Sequence, residues 1–177
     1  MKLVVAITGA SGISLGKRFI QALPPEIEIH LIVSDHARIV ETFEEKNVIF
    51  HTNDNIASSI ASGSFRVDAT AIIPCSMNTL AKIACGISDN LTTRVASVAL
   101  KEQKKLLLAP RELPLSPIAL ENMHKLSLLG VIIAPPIMGY YASISTLTEM
   151  EDFIIGKWFD SLGIEHQLYQ RWENHEE

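Results

Sequence analysis

At 177 residues the chain fits one domain, 1–177, long enough to close a hydrophobic core. With 47% hydrophobic and 20% charged residues, part of its surface is expected to be buried between subunits, and a net charge of -5 excludes non-specific nucleic-acid binding. Two cysteines, Cys75 and Cys85, without CxxC or HxxxH spacing exclude a disulfide framework and a built metal site, and they suit a reducing cytoplasm.

In chain order, Leu3–Ile7 is a short apolar run that reads as a buried strand. It does not open a signal peptide, because Gly9, Ser11 and Gly12 interrupt the run and Lys17 and Arg18 follow. No apolar stretch approaches the roughly 20 residues of a membrane span. Helical spacing runs from Ile13 to Leu23 and is stopped by Pro24-Pro25. Ile27–Val33 is a second strand, and a helix follows to about Lys46. Ala69–Ile73 is the third strand candidate, closed by Pro74-Cys75-Ser76. Helices are expected near 78–85 and 91–102, then a strand at Leu106–Ala109. Pro117–Leu129 is a helix capped by Gly130, Val131–Ala134 a final central strand, and 147–162 the C-terminal helix. Only the polar tail after Trp172 is expected to fray.

Strands that alternate with helices and are apolar on both faces predict an α/β fold, a doubly wound parallel sheet. Ligands of such sheets bind at the carboxyl ends of the strands, which selects the loops 8–12, 34–36, 74–79, 110–116 and 135–141. Thr8-Gly9-Ala10-Ser11-Gly12, between a strand and a helix, suits a phosphorylated cofactor: glycine permits close backbone approach, and a helix N-terminus offers free N–H groups. The same loop also serves as a plain tight turn. Asp35 at the end of the second strand raises a nicotinamide dehydrogenase, ranked third. Its glycines, Gly9, Gly12 and Gly16, do not follow G-x-G-x-x-G, and no Tyr is followed four positions later by Lys.

Seven ordered segments resemble the flavin prenyltransferases of the UbiX type: Thr8–Gly12, Ser62-Gly63-Ser64-Phe65, Pro74–Leu80, Leu100-Lys101-Glu102, Pro110–Leu115, Leu120–Met123 and Gly139-Tyr140-Tyr141. The resemblance covers nearly the whole chain. It implies a flavodoxin-like, Rossmann-type three-layer sandwich, reduced FMN as co-substrate without a metal, and a homo-oligomer, usually a dodecamer, with sites at subunit junctions. By the same resemblance FMN is held by Gly9, Ala10, Ser11, Ser34, Ser76, Met77, Asn78, Thr79 and Arg111. Dimethylallyl phosphate, as mono- or diphosphate, would meet Arg94, Lys101, Tyr141 and Lys157. Ser11, Glu44 and Glu112 would be catalytic, and the prenylated FMN would pass to a UbiD-type decarboxylase in quinone synthesis or aromatic-acid breakdown. Three departures stand out: Lys157 replaces a frequent Arg, Ser97 replaces a frequent Asp, and the stretch between Glu44 and Ser62 lacks a tryptophan that some relatives carry.

The chemistry asks for such residues. A leaving phosphate needs cations, an allylic cation needs a dry pocket, and flavin C6 must lose a proton. Arg94 and Lys101 lie seven apart on one helix face, Arg111 follows the next strand, and Lys157 comes from the last helix. Glu44 is set above Glu41 and Glu45 by the resemblance alone. Ser11 serves equally as a ligand to flavin N5 or as an N-cap. His36, His51 and His124 show no partner spacing. Two rivals use the same flavin loops: a cysteine-type decarboxylase, supported by Asn78–Ala84, and a non-catalytic FMN carrier. Neither has use for Lys101, Glu112 and Tyr141 together.

Overall fold

The computed structural model describes residues 1–9, 12–33, 43, 46–140 and 144–171. They form two compact units, Met1–Pro135 and Pro136–Glu177. The first unit is a six-stranded, all-parallel sheet in the order β3-β2-β1-β4-β5-β6. Its elements are β1 (Lys2–Ile7), α1 (Ile13–Ala22), β2 (Glu28–Val33), β3 (Val48–Thr52), β4 (Ala69–Cys75), α2 (Met77–Ala84), α3 (Leu91–Lys101), β5 (Lys105–Pro110), α4 (Pro117–Leu128) and β6 (Ile132–Ile133). A 3-10 turn at Ser59–Ala61 lies between β3 and β4. The doubly wound sheet expected from the alternation is therefore present, with helices on both faces.

The strand pleat divides the core between those faces. Val4, Ala6, Ile72, Leu106 and Leu108 join Leu80, Ile83, Val95 and Ala96 of α2 and α3 in one apolar cluster. On the other face α1 approaches through Gly16, where a Cβ would lie 2.5 Å from the Ile73 carbonyl oxygen and 3.2 Å from Ile7 Cδ1. Only a glycine admits helix and strand this closely. β1, buried from Leu3 to Ile7, and the fully buried β4 make the centre of the sheet.

Two strand expectations change. Val131–Ala134 is not a central strand: two residues, Ile132–Ile133, pair only with β5 and form the edge of the sheet among the described residues. Its apolar composition reflects cover by α4 rather than a place inside the sheet. At the opposite edge, β3 was not anticipated. Its residues are mostly half or fully exposed, so it lacks the continuous apolar run that marks a central parallel strand.

A polar chain fastens β3 to the sheet. Ser58 Oγ lies 2.9 Å from His51 Nδ1, His51 Nε2 lies 2.9 Å from His30 Nδ1, and His30 Nε2 lies 2.9 Å from the Glu28 carboxylate. Glu28 accepts only, so His30 donates to it through Nε2–H. Burial and then the neighbouring His30 push the His51 pKa down. His51 thus has partners that sequence spacing did not reveal.

The second unit contains α5 (Leu147–Leu162), matching the helix expected over 147–162. Thr146 and Glu149 form a capping box, and Gly163 closes the far end at φ 77°. The helix expected after the second strand, running to about Lys46, and the fraying expected after Trp172 lie outside the described residues, apart from Phe43 and Lys46.

Candidate active site

The order of the sheet places a crevice between β1 and β4, because the chain leaves β1 toward β2 on one side and later returns to β4 on the other. The loops after β1, β4 and β5 meet there. Thr8, itself buried, braces the first two. Its N–H and its Oγ1–H both point to the Pro74 carbonyl, at 3.2 and 3.0 Å, and its Oγ1 accepts from the Ser76 N–H at 2.9 Å.

The glycines set how near the loops come. Gly9, at φ 81°, brings the first loop so close that a Cβ there would be 3.4 Å from Ser76 Cβ. Gly12, at φ 88°, is the N-cap of α1, and a Cβ there would be 3.4 Å from Arg111 Cδ and 3.6 Å from Pro74 Cγ. Both glycines occupy left-handed backbone that a side chain strains. Gly12 provides no side-chain cap to α1, so the first N–H groups of that helix are open to an anion, with Arg111 beside them. These residues fit a phosphorylated flavin: a glycine cradle, an uncapped helix N-terminus and an adjoining guanidinium.

The loop after β4 begins α2. Ser76 is its N-cap: Oγ accepts from the Thr79 N–H at 3.2 Å and donates to Thr79 Oγ1 at 2.9 Å. Met77 packs partly into the core, and Asn78 is exposed. Cys75 is buried, and burial pushes its thiol up to about 12. It therefore stays protonated and is not a nucleophile.

Arg111 and Glu112 follow β5 at this carboxyl edge, both exposed; Glu112 Oε1 accepts from the Leu113 N–H at 3.3 Å. Arg94 is in the first turns of α3, where its Nε–H donates to the Ala61 carbonyl at 3.1 Å. The start of that helix is held by Asn53, which sequence reasoning passed over. Its Oδ1 accepts from the Thr92 N–H and Oγ1–H at 3.0 and 2.7 Å, and its carbonyl accepts from the Leu91 N–H at 2.7 Å. No motif spacing links a post-strand Asn to a helix far along the chain.

Lys101 does not join them. It ends α3, about 10 Å along the helix from Arg94. The chain then enters β5 at Lys105, opposite Ala69 at the start of β4. Lys101 is thus at the amino edge of the sheet, separated from Arg111 by the length of β5, about 20 Å. There it pairs with Glu102, and both lie against Gly63, where a Cβ would be 2.7 Å from the Lys101 ammonium. The segments 62–65 and 100–102 meet at the amino end, so the single ligand edge expected for these cations is not assembled within one chain.

Lys157 is on the exposed face of α5, in the second unit. Ala10, Ser11, Ser34, Glu44 and Tyr141 lie outside the described residues. Among those described, no group of three or more His, Cys, Asp or Glu side chains is placed to hold a metal, and no helix is long and apolar enough to cross a membrane.

The family model "Flavoprotein" matches residues 1–159. The flavin prenyltransferase UbiX of Helicobacter pylori (strain ATCC 700392 / 26695) is 51% identical over 185 aligned residues, covering 97% of this chain and 98% of that protein. A crystal structure of a dodecameric FMN-dependent UbiX-like decarboxylase from Escherichia coli O157:H7 superposes with TM-score 0.90 at 40% identity, covering 98% of this chain and 100% of that one. AnUbiX (PadA1), in complex with FMN and dimethylallyl pyrophosphate, gives TM-score 0.91 at 34% identity, covering 99% and 98%. A cradled helix N-terminus at the switch point, joined to identity of this extent, leaves one assignment: the chain belongs to the Flavoprotein family and, within it, to the flavin prenyltransferases of the UbiX type.

Proposed function

We propose that this enzyme transfers a dimethylallyl group from dimethylallyl phosphate to N5 and C6 of reduced FMN, and that a UbiD-type decarboxylase receives the product. The observation that carries the reading is the crevice between β1 and β4, where Gly9, Gly12, Ser76 and Arg111 converge on an uncapped helix N-terminus. Binding of FMN and dimethylallyl pyrophosphate by a relative of nearly equal length supports it.

Bound reduced FMN supplies the electron-rich N5 and C6. The α1 N–H groups and Arg111 would hold its phosphate, the backbone of Met77 and Asn78 would meet its ring, and Ser11 would hydrogen-bond N5. When the allylic C–O bond of the donor breaks, both electrons leave with the phosphate, and Arg94, Lys101, Lys157 and Tyr141 stabilise that charge. The freed allylic carbon would bond to N5, whose proton is lost; a proton adding to the remaining double bond would let its far carbon bond to C6, and Glu44 would take the proton that C6 then releases, with Glu112 near the donor phosphate. With Lys101 at the amino edge of its own sheet, this reading has it act in the site of a neighbouring protomer. A homo-oligomer is therefore part of the proposal, and the dodecameric relative supports it.

The test is an anaerobic incubation of the full chain with reduced FMN and dimethylallyl phosphate, with EDTA present, followed by product mass. The expected product is FMN enlarged by one five-carbon unit. Unmodified FMN after prolonged incubation with either the mono- or the diphosphate would overturn the reading.

A further inference from the structure

Lys157 is an exposed lysine in a built surrounding. After α5, Gly163 turns the chain back: its N–H reaches the Asp160 carbonyl at 3.1 Å, and the Ile164 N–H reaches the Phe159 carbonyl at 2.9 Å. Residues 164–171 then fold onto the helix beside Lys157. Gly156 makes this possible, since a Cβ there would be 2.5 Å from Tyr169 Cδ1 and 2.8 Å from His166 Cε1.

Asp160 is the centre of the fold-back. It accepts from His166 Nε2–H at 3.1 Å, from the Arg171 guanidinium at 2.7 Å and from the Tyr169 hydroxyl. The Leu168 N–H donates to His166 Nδ1 at 3.1 Å, which fixes the neutral tautomer with its proton toward Asp160. Burial alone would raise the Asp160 carboxyl; the bonds from Arg171, Tyr169 and His166 outweigh it and hold the group far below the usual carboxylate range.

With three donors already on Asp160, the Lys157 ammonium stands 4.0 Å from Oδ2, beyond hydrogen-bond reach, and 6.0 Å over the Tyr169 ring. It is oriented by a fixed negative charge and a π-face without giving its N–H donors to either. Lys82 is the contrast, at 2.6 Å from Asp89. The same aromatic group reaches the segment before Tyr141. A Cβ on Gly139 would be 2.5 Å from Phe153 Cε1, and the Phe153 ring meets Tyr169 edge-on at 5.2 Å.

We propose that Asp160 and Tyr169, set in place by the fold-back of residues 164–171, are positioning residues that hold the Lys157 ammonium for the phosphate of the prenyl donor; this rests on the prenyl-transfer reading above. A flexible lysine substituting for a guanidinium fork has more rotamers to lose on binding phosphate, and the cluster removes that freedom beforehand.

The experiment is a double-mutant cycle on the full chain, with KM for dimethylallyl phosphate, kcat and FMN affinity measured for each variant. Asp160→Asn is expected to raise KM about tenfold, the loss that follows a misplaced charge-assisted hydrogen bond, and to lower kcat as well, with FMN affinity nearly unchanged. In a Lys157→Met background, Asp160→Asn should add nothing further. An equal effect in both backgrounds, or an unchanged KM, would overturn the proposal. Should Asp160→Asn not fold, Tyr169→Phe takes its place, deleting one donor to Asp160 while keeping the ring. A wild-type protein that makes no prenylated FMN sinks the functional reading and this one together, whereas active wild type with an unaffected cycle sinks this one alone.

Discussion

Gly12 and Gly130 share a left-handed backbone, at φ 88° and 81°, yet only Gly12 has neighbours. A Cβ on Gly12 would press on Arg111 and Pro74; one on Gly130 would meet nothing within 4 Å. Gly12→Ala and Gly130→Ala should each lose about 1–2 kcal/mol of stability through backbone strain. Gly12→Ala alone should also weaken FMN binding by about tenfold or more, because Arg111 and the helix N–H groups are displaced from the phosphate. Flavin fluorescence titration beside thermal melts separates the two effects. Equal FMN affinity in the two variants would remove the cradle at Gly12 from the site. At this scale the sequence was legible where residue type decides conformation, as at Gly9 and Gly12. It was silent on Thr8 and Asn53, whose importance comes from hydrogen bonds to residues 66 and 39 positions away.

Elements were legible in proportion to their local signals. α5 has a capping box, a helical apolar stripe and a terminal glycine, and its limits agree with expectation at both ends. β3 has none of these: it is held by its register with β2 and by the His30–His51 bond, which are long-range facts. β6 read as central because it is apolar, whereas strand order depends on where α4 returns the chain. The α5 cap also carries a pH dependence. Glu149 accepts from the Ser145 N–H and Oγ–H and the Thr146 N–H, each at 2.9 Å, and these bonds lower its carboxyl to about 2. Its folded pKa lies below the unfolded one, so its contribution is complete above pH 4.5 and is lost as pH falls toward about 2. Glu149→Gln should therefore melt lower than wild type at pH 7, and the two melting curves should converge near pH 2. A constant gap across that range would mean that the cap does not depend on the ionised carboxylate.

For the whole molecule, the arrangement of cations is the main consequence. Apolar side chains remain exposed on α4, among them Ile118, Leu120 and Leu128, and Phe50 is exposed on edge strand β3. A protomer with such surfaces is expected to be covered by copies of itself. That cover bears on catalysis, because Arg111 and Lys101 stand at opposite ends of one sheet and a shared site needs two chains. Lys101→Met should keep FMN affinity near wild type, since the site proposed for the FMN phosphate is at the other edge, and should sharply lower prenyl transfer. Arg111→Ala should lose FMN binding instead. Neither variant has an intact site when every chain is alike. In a mixed oligomer, a chain with intact Arg111 can adjoin one with intact Lys101, and random equal mixing should restore roughly a quarter of wild-type activity. Co-expression of the two variants under different affinity tags, with tandem purification and anaerobic assay, measures this. Activity no higher in the mixture than in the separate variants would mean that the two cations do not serve one site across a subunit boundary.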